Sequence, residues 1–183
     1  MAPITPLYSD PLYLTRSASP YYKESHLRLQ RELREYVSTH ISPFCEEWET
    51  QAQVPADVLT RHAELGYAAA SVYPIAADYL NGQRLPADIE LEEWDGFHDL
   101  IFIDEMARCG YLGVIWGLSC GNSIGVPPLV NFGNEEQKRR FLPDVLHGKS
   151  RFCLGVTEPD GMYYLERIFI GAKEEQLDQT LQV

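Results

Sequence analysis

Asp104 and Glu105 are, by type, the side chains best suited to general acid–base work, which needs two carboxylates in different environments facing each other across a cleft. Their spacing speaks against it, because successive residues of a helix point about a third of a turn apart and do not face one another. They are read as structural. His62 has no Cys, Asp or His at a metal-ligand spacing beside it, so a partly buried, hydrogen-bonded histidine is expected. His98, four residues after Trp94, is read as a packing partner of that ring. Cys45, Cys109, Cys120 and Cys153 form no C-x-x-C pair and sit among apolar neighbours, as buried free thiols of a reducing compartment would. Gly113, Gly117, Gly121 and Gly125 recur every four residues. On a helix they make one bare ridge, and each costs about 1 kcal/mol relative to alanine, so something must approach the backbone closely there. A neighbouring helix and a flat or extended ligand both answer that description.

The elements that must position these groups read as helical for most of the chain. From Lys23, Leu29, Leu33, Tyr36, Val37, Ile41, Phe44, Cys45 and Trp48 recur at spacings of three and four, with Arg28, Arg31, Glu32, Arg34 and Glu35 opposite. Pro43 predicts a kink or a new start inside this pattern, which ends near Gln53. Pro55-Ala56-Asp57 opens a shorter helix stopped by Gly66. Residues 67–90, broken by Pro74, Gly82 and Pro86, read as a connecting excursion, and Leu91–Arg108 as a strong helix. Gly110–Phe132 carries the glycine row and is ended by Pro127-Pro128. Asn134, followed by Glu135, Glu136 and Gln137, is a helix start with a capping box, and Gly148 is its stop. Phe152–Val156 is a short apolar run of strand length, closed by the polar turn Thr157-Glu158-Pro159-Asp160.

Composition limits the partners. With 183 residues, 45% of them hydrophobic, the chain is long enough to bury one ordinary core. A net charge of −12 repels a phosphate backbone on average, which disfavours a nucleic-acid role. The longest apolar stretch, Tyr111–Cys120, falls short of the ~20 residues a membrane-spanning helix needs. Residues 1–22 read as a flexible arm lacking the repeated Arg and amphipathic spacing of a mitochondrial presequence, so a cytoplasmic location is expected, with mitochondrial and peroxisomal ones left open.

The string GNEEQKRRFLPDVLHGK at 133–149, followed by CLGVTEPD at 153–160, resembles the junction between the N-terminal helical domain and the middle β domain of acyl-CoA dehydrogenases. That family reads G-x-x-x-Q-K, an aromatic-Leu-Pro, a Gly, and a strand ending T-E-P-x-x-G-S-D. DEMARCGYLG at 104–113 resembles its E-x-x-A-x-x-G helix end. The resemblance implies a mainly α fold: an acyl-CoA dehydrogenase-like N-terminal helical domain over 23–150, the start of a truncated β domain over 151–160 with one or two residual strands, and an atypical tail over 161–183. It implies FAD as cofactor, with Leu154, Val156 and Thr157 on the flavin side, and an acyl-CoA substrate whose chain passes Leu118, Ser119 and Asn122. It implies a homo-oligomer for the complete fold and oxidation of the CH–CH bond of an acyl thioester in fatty acid metabolism.

Departures from the pattern begin after Asp160, where Tyr163 stands in place of the family's serine. The second flavin-binding strand and the C-terminal helices with the catalytic glutamate do not fit into the remaining tail, so no residue is named as catalytic base. Gly161-Met162-Tyr163 can be encoded by a sequence containing the intron donor GTATGT, which makes Met162–Val183 expected to be intron-encoded or frameshifted; an evolved tail is the alternative. A non-catalytic helical interaction module, or an inert fragment, stands beside the enzyme reading. In that case the strand at 151–156 is expected to have no sheet to join.

Overall fold

A computed structural model describes residues 19–155 and 169–172. The periodic stripe from Lys23 forms helix α1 (Glu24–Tyr36), and its Leu29 and Leu33 are fully buried. A π-helical turn (Val37–Ile41) and a 3-10 turn (Ser42–Phe44) carry the chain past Pro43, whose missing N–H suits the start of a turn, into α2 (Cys45–Gln51). These turns shift the helical register. Phe44, expected in the buried stripe, is therefore turned outward and stacks on Trp48 at 5.7 Å.

α3 (Ala56–Glu64) begins after Pro55 and ends at Gly66, whose φ of +85° and whose absent Cβ, which would lie 2.4 Å from the Arg84 carbonyl, require glycine. The excursion that follows holds a single short helix, α4 (Tyr67–Ala70), and 3-10 turns at Ala77–Tyr79, Pro86–Asp88 and Leu91–Glu93. The strong helix α5 spans Gly96–Ala107 rather than Leu91–Arg108. Asp95 sets its start, because its carboxylate accepts the Phe97 N–H at 2.9 Å while its own N–H is bonded by His98 Nδ1 at 3.1 Å. α1 and α5 pack along their length and are clamped by Glu105, a fully buried carboxylate that accepts from Gln30 Nε2 at 2.9 Å and from Arg34 Nε and Nη2 at 3.0 and 2.8 Å. Arg108 pairs with it at 3.3 Å. The paired acids thus part company: Glu105 ties two helices together and Asp104 lies half-buried beside Arg108.

The segment 110–132, expected as a helix ended by Pro127-Pro128, is four pieces: α6 (Leu112–Ile115), a π-helical turn (Trp116–Cys120), α7 (Gly121–Gly125) and α8 (Pro127–Phe132). Pro127-Pro128 ends one helix and also begins the next, since proline at the first helical position gives up no internal hydrogen bond. α9 (Glu135–Leu146) starts in the expected capping box, Asn134 N–H to Gln137 Oε1 and Gln137 N–H to Asn134 Oδ1, each 2.9 Å. It ends at Gly148, with φ +70°. Leu142, Val145 and Leu146 close the core against Tyr67, Ile101 and Met106.

The chain then forms β1 (Phe152–Gly155), which pairs antiparallel with β2 (Phe169–Ala172), Phe152 opposite Ala172 and Gly155 opposite Phe169. The strand expected to lack a sheet therefore has a partner, supplied by an apolar Phe-Ile run of the tail. Strand alternation places Phe152 in the core and turns Cys153 to solvent. That corrects the expectation of four buried thiols: Cys45 and Cys109 are buried, Cys120 is half-buried and Cys153 is exposed, all of them free. No helix among the described residues is long and apolar enough to cross a membrane.

Candidate functional site

The glycine row meets the protein itself at every position. A Cβ on Gly113 would lie 2.6 Å from Glu49 Oε2, one on Gly117 3.0 Å from Val54, one on Gly121 2.2 Å from the Phe152 carbonyl, and one on Gly125 3.1 Å from Phe152 Cβ. The ridge is therefore taken up by the end of α2 and by β1. Glu49 also accepts the N–H groups of Gly113 and Val114 at 3.4 and 3.2 Å, where the α6 N-terminus favours a negative charge.

One residue before each glycine stands a second four-residue row: Leu112, Trp116, Cys120 and Ile124. Leu112, Trp116 and Ile124 are 66%, 52% and 41% exposed, unusual for large apolar side chains on one face. Between this row and β1 lies a cavity of about 240 Å³, lined by Trp116, Leu118, Cys120, Ile124, Phe152 and Cys153, together with Ser119, Asn122 and the charged Arg151. The structure thus brings the expected Leu118, Ser119 and Asn122 together on one wall. Ser119 Oγ donates to the Ile115 carbonyl at 3.3 Å and Asn122 Oδ1 accepts the Phe152 N–H at 3.0 Å. Asn122 anchors the strand, and the cavity offers a ligand a mainly apolar surface with the Arg151 guanidinium in its lining. Neither a carboxylate nor an imidazole lines it among the described residues. Val156 and Thr157, and the side chain of Leu154, lie outside the described residues.

The contribution of Trp116, Cys120 and Ile124 is the part that sequence reading missed. The signal was present as a row of large apolar residues in phase with the glycines, and attention to the glycines concealed it. A larger cavity of about 430 Å³ lies between the end of α2 and α6, lined by Trp48, Val54, Leu59 and Val114, with Arg151 reaching across to donate to the Gly117 carbonyl at 3.0 Å.

His26, Asp95 and His98 form the single His/Cys/Asp/Glu group of metal-binding proportions among the described residues. Asp95 Oδ1 lies 2.9 Å from His26 Nε2 and 3.1 Å from His98 Nδ1. The outer contacts do not suit a metal. A ligating histidine ordinarily donates its other ring N–H to an acceptor, yet His26 Nδ1 faces the Lys23 N–H at 2.8 Å, a donor, so the proton must sit on Nε2, the very atom that would ligate. His98 Nε2 sits 3.1 Å from Ser25 Oγ, which gives this group the hydroxyl–imidazole–carboxylate order of a hydrolase, but Ser25 and His98 are both buried and no substrate reaches them.

His62 is fully buried rather than partly so. Its Nδ1 lies 3.2 Å from the Tyr36 hydroxyl, and its Nε2 has no partner among the described residues, so it is only half satisfied. Burial holds its imidazole at about 3, neutral at any ordinary pH. Trp94 stacks on His98 at 5.2 Å, although it precedes the helix instead of sharing its face. Burial, followed by the neighbouring Cys109, pushes the Cys45 thiol up to about 12, which makes it a poor nucleophile.

Residues 23–149 match the acyl-CoA dehydrogenase N-terminal domain. The acyl-CoA dehydrogenase AFT10-1 of Alternaria alternata is 53% identical over 154 residues, which cover 84% of this chain and 36% of that protein. The acyl-CoA dehydrogenase apdG of Emericella nidulans is 35% identical over the same shares. An acyl-CoA dehydrogenase structure from Geobacillus kaustophilus superposes with a TM-score of 0.61 over 81% of this chain and 35% of that one, at 20% identity, and so speaks for the fold. The chain spans about a third of the length of the relatives it matches. Through this helical domain, the chain belongs to the acyl-CoA dehydrogenase family.

Proposed function

We propose that the chain supplies the acyl-side wall of a FAD-dependent acyl-CoA dehydrogenase, an enzyme that removes an α-proton and a β-hydride from an acyl thioester. The observation that carries this reading is the apolar cavity between the 112–132 segment and β1, in a domain that matches the family from residue 23 to residue 149. Trp116, Cys120 and Ile124 would hold the aliphatic chain by burial of apolar surface and keep water from it. Leu118 backs that wall, and Ser119 and Asn122 keep its shape through their hydrogen bonds.

This cavity does not fit FAD, being smaller than the roughly 300–1,000 Å³ of whole-ligand pockets. Leu154, Val156 and Thr157 remain the proposed points of flavin contact, completed by the two-thirds of the fold that the relatives possess beyond the matched region. The α-proton is removed by a group outside the described cavity wall. The chain on its own is accordingly a binding domain without turnover, and a homo-oligomer is proposed for the complete fold.

Calorimetry on the 183-residue chain tests this. A medium-chain acyl-CoA is expected to bind with a heat that CoA alone does not give, while added FAD leaves the protein colourless after gel filtration. Equal behaviour of CoA and acyl-CoA would remove the acyl-wall reading. A stoichiometric yellow flavin complex would instead show that the cofactor site is complete within this chain.

A further inference from the structure

Among the described residues, three helix starts use a side chain three residues into the helix to bond the N–H of the capping residue. At α9 the residue is Gln137, which cannot titrate. At α1 it is His26, whose Nδ1 accepts the Lys23 N–H at 2.8 Å, and at α5 it is His98, whose Nδ1 lies 3.1 Å from the Asp95 N. Chain topology brings the two histidine-capped starts together. The imidazoles lie 3.8 Å apart, both fully buried, and share one carboxylate, Asp95. The rings of Tyr21 and Tyr22, where the N-terminal arm enters the fold, pack on Phe97 at 5.8 and 5.2 Å, and Tyr22 also meets His26 at 5.6 Å.

From this arrangement we infer that Asp95 and His98, packed on His26, form an acid-released latch: protonating the His98 imidazole uncaps α5 and frees the Tyr21–Tyr22 segment from Phe97. The chemistry follows from which atoms are acceptors. In the tautomer with its proton on Nε2, facing Ser25 Oγ, His98 bonds the Asp95 N–H through the Nδ1 lone pair, with Asp95 Oδ1 at the same 3.1 Å. A proton on Nδ1 turns that acceptor into a donor, leaving the Asp95 N–H facing an N–H. At His98 the new proton can turn to Asp95 Oδ1, 3.1 Å away, but that exchanges the cap for an ion pair. Two imidazolium rings at 3.8 Å would in addition repel each other in a buried setting, with one carboxylate to serve both.

Among the described residues, few charged and titratable groups face the pair. Asp95 lies between the rings, Lys23 reaches the other oxygen of Asp95 at 3.7 Å, Glu93 acts on His98 from the preceding turn, and Tyr22 covers His26. Burial and then the neighbouring His26 hold the His98 imidazole below its usual value, against the opposite pull of Asp95 and Glu93. Partial burial opposes ionisation of Asp95, but the hydrogen bonds from His26 and the Phe97 N–H outweigh it and hold that carboxyl at about 2. The sign is therefore set. The unfolded chain binds the His98 proton more readily, so the stability from the neutral ring is complete above about pH 6.5 and is lost as pH falls below it, while Asp95 stays ionised throughout.

Amide exchange followed by NMR on the full chain reads this directly, with the Asp95 and Phe97 amides compared against Asn134 and Gln137. Between about pH 7.5 and about pH 5.5, after correction for the intrinsic rate, the first two are expected to lose protection about tenfold while the Gln137-capped pair is unchanged. In a His26→Gln, His98→Gln variant, which copies the α9 arrangement, that pH dependence should vanish. Should the double variant not fold, His98→Gln alone is expected to remove it at Asp95 and Phe97. The inference is overturned by unchanged protection of Asp95 and Phe97 at the lower pH, or by an equal loss at Asn134 and Gln137, which would mark global loosening of the kind the buried His62 would cause. A glutamine variant that still loses protection with acid would overturn it as well.

Discussion

Two four-residue rows run along the same segment, one residue out of phase, and they have opposite fates. Gly113, Gly117, Gly121 and Gly125 are closed over by Glu49, Val54 and β1, whereas Leu112, Trp116 and Ile124 are left open. The bare row marks where the chain's own backbone comes close, since only glycine lets the Phe152 carbonyl sit where a Cβ would be. The bulky row marks an apolar surface left open among the described residues. The same spacing therefore encodes internal packing at one phase and an outward-facing wall at the next, and residue size distinguishes them.

Substitutions along the two rows should separate these roles. Gly121→Ala is expected to have the largest effect on stability, because its Cβ would meet backbone at 2.2 Å and β1 would have to move. Overpacking of that kind costs about 2–3 kcal/mol even after the gain in helix propensity, which urea unfolding would read. Gly113→Ala meets the far end of Glu49, a flexible side chain, but displaces the cap on α6, and a loss of about 1 kcal/mol is expected in the same assay. At Gly117 the neighbour is a Val54 methyl at 3.0 Å that can give slightly, so the strain and the helix gain of alanine should cancel to within about 0.5 kcal/mol. Ile124→Ser and Trp116→Ala, on the open row, should change stability least, by about 0.5 kcal/mol or less, and yet weaken acyl-CoA affinity roughly tenfold by removing apolar contact. If Ile124→Ser destabilised the fold as much as Gly121→Ala, the contrast between the rows would be lost.

Much of the fold was legible because local rules and the global arrangement agree. The Asn134–Gln137 box, the Gly66 and Gly148 stops and the Leu29–Leu33 stripe depend on a few neighbouring residues, and the structure has them where the pattern puts them. What escaped depends on contacts distant in sequence. Asp95 shortened α5 through a cap that a continuous apolar pattern hid. Phe44 left the core because a π-helical turn shifted its phase, and β1 gained a partner from the tail. At the site, Leu118, Ser119 and Asn122 were named from resemblance and do meet at one cavity, but Asn122 is occupied in holding β1, which only the 30-residue reach to the Phe152 N–H reveals. His26 drew no attention because its partner His98 lies in another helix, and no sequence spacing connects them.

The most direct test of the central claim, that the open row is an acyl-binding wall, is a titration of the 183-residue chain with acyl-CoA while following tryptophan emission. Trp116 is half exposed at the cavity, whereas Trp48 and Trp94 are buried away from it, so its emission should shift to the blue as an acyl chain covers it. The account predicts a saturable blue shift with acyl-CoA that is absent with CoA and lost in Trp116→Phe. Emission that ignores the acyl chain, or a shift that persists in Trp116→Phe, would contradict it.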